Sequence, residues 1–259
     1  MSTFDRNQTA RYAATRAEAG VYDEGLRSYM LSVYNYMALG LGITGLAALG
    51  AFILSVTSDP AAGVAQLPNG MMLTSFGYAL FASPLKWVVI LAPLAMVFFL
   101  SARINKMSVG AAQGTFWLYA ALVGISLSSI FLVYTHGSIA RVFFITAASF
   151  GGLSLFGYTT KKDLSGWGSF LFMGLIGIII ASVVNIFLAS SAMQFAISVI
   201  GVLVFAGLTA YDTQQIKEMY HEGDSELVAG RKSIMGALRL YLDFINLFIM
   251  LLSLFGNRE

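Results

Sequence analysis

Two aspartates stand where an aspartate is costly. Asp212 follows three apolar turns in the stretch 196–217, AISVIGVLVFAGLTAYDTQQIK, and Asp243 lies within LYLDFINLFIMLLSLF. The other 11 of the 13 Asp and Glu fall in the N-terminal segment, in polar links or at the C-terminus. An ionised carboxylate in hydrocarbon costs ~2.5–3.5 kcal/mol on insertion scales. A carboxylate kept in such a place can relay a proton, offer hard oxygen ligands to a cation such as Ca²⁺, or pair with a base. Two carboxylates within hydrogen-bond range cannot both ionise cheaply, so they share a proton and titrate as a coupled pair.

Helical spacing gives each acid polar company. Thr209 and Gln215 flank Asp212 at i−3 and i+3, and Asn246 is i+3 from Asp243. Both acids therefore look into polar stripes and not into lipid. Ion pairing is the plainer reading and stays open beside the functional one. Arg239 is i−4 from Asp243, and Arg103 ends the second apolar segment at the depth expected for Asp212.

The elements that must position these residues are membrane helices. The chain is 58% hydrophobic and 11% charged, against roughly 25% charged residues in a soluble domain. Seven apolar segments, each near the ~20 residues a bilayer requires, run 29–56, 85–103, 110–135, 141–158, 168–189, 192–213 and 234–255. Their continuous runs exclude the alternating segments of a membrane β-barrel. The expected architecture is all-α and polytopic: a polar N-terminal segment, 1–28, followed by one seven-helix domain, 29–259. The N-terminal segment has no apolar core, so no cleavable signal peptide is expected. Pro93 should kink the second segment. The link 57–84 is either an ordered cap or a flexible loop. The other polar link runs 214–233.

Charge placement sets the orientation. Of 15 Lys and Arg, 12 fall in the N-terminal segment and in the links after the second, fourth and sixth segments, helix ends included. The opposite side has Lys86 and Arg141, and Arg258 is at the C-terminus. The N-terminus is expected in the cytoplasm; seven full spans put the C-terminus outside, and a re-entrant seventh segment would leave it inside.

Other motifs carry less. Gly40, Gly42 and Gly45 spell G-x-G-x-x-G inside an apolar helix, where close helix packing is expected and a nucleotide is not. Gly110 and Gly114 form G-x-x-x-G with the same reading. His136 and His221 lie in links on opposite sides and cannot share a metal. Cys is absent, which removes thiolate chemistry and Cys-based zinc sites. No Ser-His-Asp set, H-E-x-x-H or phosphate loop is present, so no enzyme activity and no cofactor are expected. A retinal Schiff base would want a Lys in the last apolar segment, which has none. There is no basic run, so nucleic acid is not an expected partner.

The stretches AYDTQQIK around Asp212 and LYLDFINLFIMLL around Asp243 resemble the paired C-terminal motifs of the Bax inhibitor-1 family (transmembrane Bax inhibitor motif proteins). FGYTTKKDLSGWGSFLFMGLIGIIIASVVNIF is similar to that family's fourth and fifth helices. The resemblance implies seven helices with the last enclosed by the other six, and a pH-sensitive calcium leak or cation transporter passing Ca²⁺ and H⁺. It implies that Asp212 and Asp243 form the pH sensor and meet the calcium, and that a basic residue ending the second helix, matched here by Arg103, latches one aspartate in the closed state. It also carries an alternative of another class, an interaction protein that restrains a membrane-anchored protease or a cell-death or stress partner. The short loops resemble a bacterial member, in an inner (plasma) membrane.

Overall fold

The computed structural model describes residues 3–59, 61–67 and 70–258, with side chains described from residue 24 onward. Eight α-helices appear among the described residues: α1 (Thr3–Ser55), α2 (Ser75–Phe81), α3 (Leu85–Arg103), α4 (Val109–Leu127), α5 (His136–Thr159), α6 (Ser165–Leu188), α7 (Ser191–Glu218) and α8 (Glu226–Phe255). All but α2 are long and apolar enough to cross a membrane. In α1 the crossing part is Glu24–Ser55. Lipid cannot hydrogen-bond backbone amides, so each span must satisfy its own, and the helix is the way one segment does this alone. Side-chain caps mark several starts: Ser108 accepts from the Ala111 amide, Thr135 from Ser138, Ser190 from Met193 and Ser225 from Val228.

α8 is the hub. Half of its apolar window is buried, more than in any other span. It packs chiefly on α7, α1, α5 and α4, while α3 lies against α4, and α6 against α7, as an outer layer. The last helix is thus ringed directly by four helices and at second remove by two. Tyr241 sits at its middle, fully buried, with its hydroxyl 2.6 Å from Thr44 Oγ1 and its ring edge-on to Phe116 and Tyr119. At 30 residues α8 is about 45 Å long, more than the ~30 Å hydrocarbon core, so the seventh segment is a full span by length.

Two glycines let membrane-crossing helices touch backbone to backbone. A Cβ on Gly124 would lie 2.4 Å from the Thr44 carbonyl oxygen, joining α4 to α1, and one on Gly157 would lie 2.2 Å from the Ala210 carbonyl oxygen, joining α5 to α7. The glycines singled out by motif behave otherwise. Gly40 does pack against the Phe116 ring, but Gly42, Gly45, Gly110 and Gly114 have no neighbour within 4 Å of a built Cβ. Their spacing expresses a helix face, and that face points away from the bundle.

The link between α1 and α3 is an ordered cap. Val56–Thr57 (β1), Ala65–Gln66 (β2) and Met72–Leu73 (β3) form an antiparallel sheet of order β1-β3-β2, and Thr74 caps α2 while donating to the Leu54 carbonyl. α3 continues through Pro93 as one helix.

The polar link read as 214–233 is mostly helical. α7 runs to Glu218 and α8 starts at Glu226, leaving a short turn. The cause is local: Ser225 caps the helix and Glu226 sits in its first turn, where a negative charge meets the positive end of the helix dipole.

Candidate functional site

Asp212 lies in the last two turns of α7, and Asp243 lies 17 residues into α8. The turn between Glu218 and Glu226 folds α8 back along α7 and brings the two acids to the same level. Their carboxyl groups lie close enough to act on one another. Asp243 is 4% exposed, and its Oδ2 is buried without a hydrogen-bond partner. Asp212 is half-buried. Two carboxyls this close to one another cannot both ionise cheaply in so poorly solvated a place.

The nearby cation is Arg239. It lies one turn before Asp243, exposed, and within electrostatic range of both carboxyls. Arg103 ends α3 exposed, on a helix whose main partners are α4 and α2. Of the two counter-ion candidates, the fold brings Arg239 to the pair. Among the described residues one ion pair is closer than 4 Å, Lys232 with Asp224 at 2.5 Å; it clamps the start of α8 to the preceding turn, and Lys232 also donates to the Met219 carbonyl.

The supporting polar residues make their hydrogen bonds elsewhere. Thr209 donates to the Phe205 carbonyl and Asn246 to the Leu242 carbonyl, each one turn back on its own helix. Gln215 reaches Glu218 and Ser165. A different set of hydroxyls runs beside the pair. Tyr34 on α1 is 2.6 Å from Ser154 on α5, Ser154 is 2.9 Å from Thr213 on α7, and Thr213 donates to the Thr209 carbonyl. Nothing in the sequence singles out Ser154 or Tyr34, because their partners are 59 or more residues away.

The end of α7 is held to the turn between α5 and α6. Gln214 accepts from the Leu164 amide and donates to the Lys162 carbonyl, and Lys217 donates to the Tyr158 carbonyl. In the same turn Asp163 accepts from the Ser165 amide, which holds its carboxyl below the usual carboxylate range. The histidines take no part. His136 packs on Phe52 and Phe131, and His221 Nδ1 accepts from the Gly223 amide. Among the described residues no group of three or more His, Cys, Asp or Glu is arranged to hold a metal ion.

Residues 26–259 match the family model described as "Inhibitor of apoptosis-promoting Bax1". The chain belongs to the Bax inhibitor-1 family. It is 49% identical over 238 residues to the inner membrane protein YbhL of Escherichia coli, covering 91% of this chain and 94% of that one. It is 47% identical over 245 residues to a Rickettsia prowazekii protein, RP147, covering 95% of this chain and 96% of the relative. A Streptococcus pyogenes membrane protein is 36% identical over 239 residues, with 92% and 96% covered. As a Bax inhibitor-1 family chain it is a multi-pass membrane protein of bacterial type. The family match takes in both aspartates, six spans in full and all but the first two residues of the first span.

Proposed function

We propose that this Bax inhibitor-1 family protein is a pH-sensitive calcium leak of the bacterial inner membrane, gated by the coupled pair Asp212 and Asp243, with its N-terminus in the cytoplasm and its C-terminus outside. The observation that carries the reading is the meeting of two carboxyls from different helices, one of them fully enclosed, beside a single exposed arginine. A merely structural ion pair needs one acid for one base; here a second acid is brought in at a cost.

The shared proton ties α7 to α8. When it leaves, two unit charges ~4 Å apart repel by ~4 kcal/mol at an effective dielectric of ~20. Helix packings that differ by a few kcal/mol are biased by that amount. Parting α7 from α8 admits water, and a hard cation such as Ca²⁺ neutralises the carboxylates as it passes. The paired form is favoured at lower pH and lost as pH rises. Arg239 opposes pairing by favouring the ionised acids, so it sets where on the pH scale the change occurs.

Calcium entry into sealed liposomes holding the purified protein tests this. Flux that varies with pH, and loses that dependence when both aspartates become Asn, supports the leak. Flux no higher than in empty liposomes sinks it and leaves the interaction-protein reading, in which a membrane-anchored protease or a stress partner binds this chain.

A further inference from the structure

At the end of the molecule away from the aspartates lies a groove of about 710 Å³, within the ~300–1,000 Å³ range of built ligand pockets. Leu80 and Phe81 of α2, Val89 and Ile90 of α3, and Leu132 and Val133 after α4 form its apolar walls. The hydroxyl-bearing Ser126 and Ser129 line it too, and two cations stand in it, Lys86 and Arg258. No acid is among its lining residues. That pattern is unusual for this end, which holds three of the 15 Lys and Arg. Two of the three converge on one groove, and the third, Arg141, does not line it.

Both cations are positioned. Lys86 lies in the first turn of α3, its ammonium 5.6 Å from the centre of the exposed Trp87 ring. Arg258 rests 5.9 Å over the Tyr134 ring, and the chain beside it is pinned where the Thr135 amide donates to the Asn257 carbonyl and the Asn257 amide to Ser138. Trp and Tyr at helix ends mark headgroup depth. The arrangement is thus a hydrocarbon-lined groove whose charged members lie at the level of lipid phosphates. Arg258 also borders a smaller polar cavity of about 350 Å³ beside Asn185 and Gln194.

We infer that this groove is a binding site for one anionic phospholipid, its phosphate between Lys86 and Arg258 and an acyl chain along the α2–α3–α4 wall. A zwitterionic lipid fits the walls equally but brings its own cation toward two others. A free phosphate would satisfy the cations and leave the walls wet. The site is independent of the leak: its occupant joins α2, α3 and the C-terminus at the end opposite the aspartate pair.

Intact-mass spectrometry of the detergent-solubilised full chain, titrated with phosphatidylglycerol or with phosphatidylcholine of the same acyl chains, tests the site. The wild type is expected to retain phosphatidylglycerol preferentially. Each cation near an anionic headgroup strengthens attachment about fivefold, so Lys86→Gln with Arg258→Gln should weaken retention about thirtyfold. Arg141→Gln, at the same end but outside the groove, should leave it unchanged. Val89→Trp fills the groove without touching charge and should expel lipid from a protein whose thermal unfolding is that of wild type. Equal retention of the two lipids overturns the inference. So does a loss with Arg141→Gln as large as with the groove pair, lipid retained in full by Val89→Trp, or displacement of phosphatidylglycerol by inorganic phosphate.

Discussion

The helices α7 and α8 meet polar side to polar side at both ends, and the two ends are built from different chemistry. At one end Gln194 accepts from Asn185 and donates to Ser253, Ser198 donates to Ser253, and Asn185 Oδ1 accepts from the Ser190 amide. Every one of those groups is neutral. At the other end two carboxyls meet, one with a buried oxygen that has no partner. A satisfied neutral network holds helices together, each bond adding about 0.6 kcal/mol in a membrane. A carboxyl pair holds them only while it keeps its proton. In the proposed gate one helix pair is therefore tied permanently at one end and conditionally at the other, and α7 parts from α8 at the aspartates without coming loose at the amides.

This contrast fails at once if the two ends do not face opposite sides of the membrane. With no native cysteine, Glu222→Cys in the α7–α8 turn and Ser75→Cys at the start of α2 report topology directly. An impermeant thiol reagent outside intact cells should label the second and not the first. Labelling of Glu222→Cys would reverse the orientation and with it the sense of the leak.

A substitution next to the conditional end should have the largest stability effect. Gly157→Ala places a methyl 2.2 Å from the Ala210 carbonyl oxygen, so α5 must move from α7. Overpacking of this kind costs about 1–3 kcal/mol, which should appear as a lower Tm and a leakier protein. A wild-type Tm would mean that the two helices are not in register there.

The two arginines separate the conditional end from the rest of its own face. Arg239→Gln removes the positive charge that favours ionised carboxyls, so the pH at which flux changes should rise, modestly because Arg239 is exposed and screened. Arg103→Gln should leave that pH where it was. The reverse outcome would make Arg103 the latch, and Lys106, in the turn that follows α3, is the next residue to try if neither variant responds. The smallest effect belongs to the neutral end: Ser198→Ala removes one donor to Ser253, should cost about 0.6 kcal/mol of stability and should leave the pH response untouched.

Much of this is legible in the order of the amino acids. Hydropathy fixes the spans because lipid demands ~20 apolar residues and full internal hydrogen bonding, and each expected segment lies on one of the long helices to within a few residues at most ends. The exception is the start of α8. Residues 226–233 read as loop because they are polar, and only the cap at Ser225 signals a helix. That misreading bears on the site, since Asp243 lies nearly five turns into α8. The acids stand out because an acid in an apolar run has few bland explanations. Their neighbours do not, because a threonine or asparagine in a helix finds the carbonyl one turn back as readily as a partner across the interface, and Thr209 and Asn246 both do so. Which arginine meets the pair depends on which helices touch, and α3 standing in the outer layer is a fact of packing that no spacing encodes.

Everything proposed for the leak rests on Asp212 and Asp243 acting as one titrating unit that ties α7 to α8. The most direct measurement is the pH dependence of Ca²⁺ flux in liposomes for wild type, Asp212→Asn, Asp243→Asn and the double variant. Coupling predicts that either single change removes most of the dependence and that the second adds little. Two partial effects that simply add would mean that the carboxyls titrate separately, and a wild-type pH profile in all three variants would contradict the coupled gate outright.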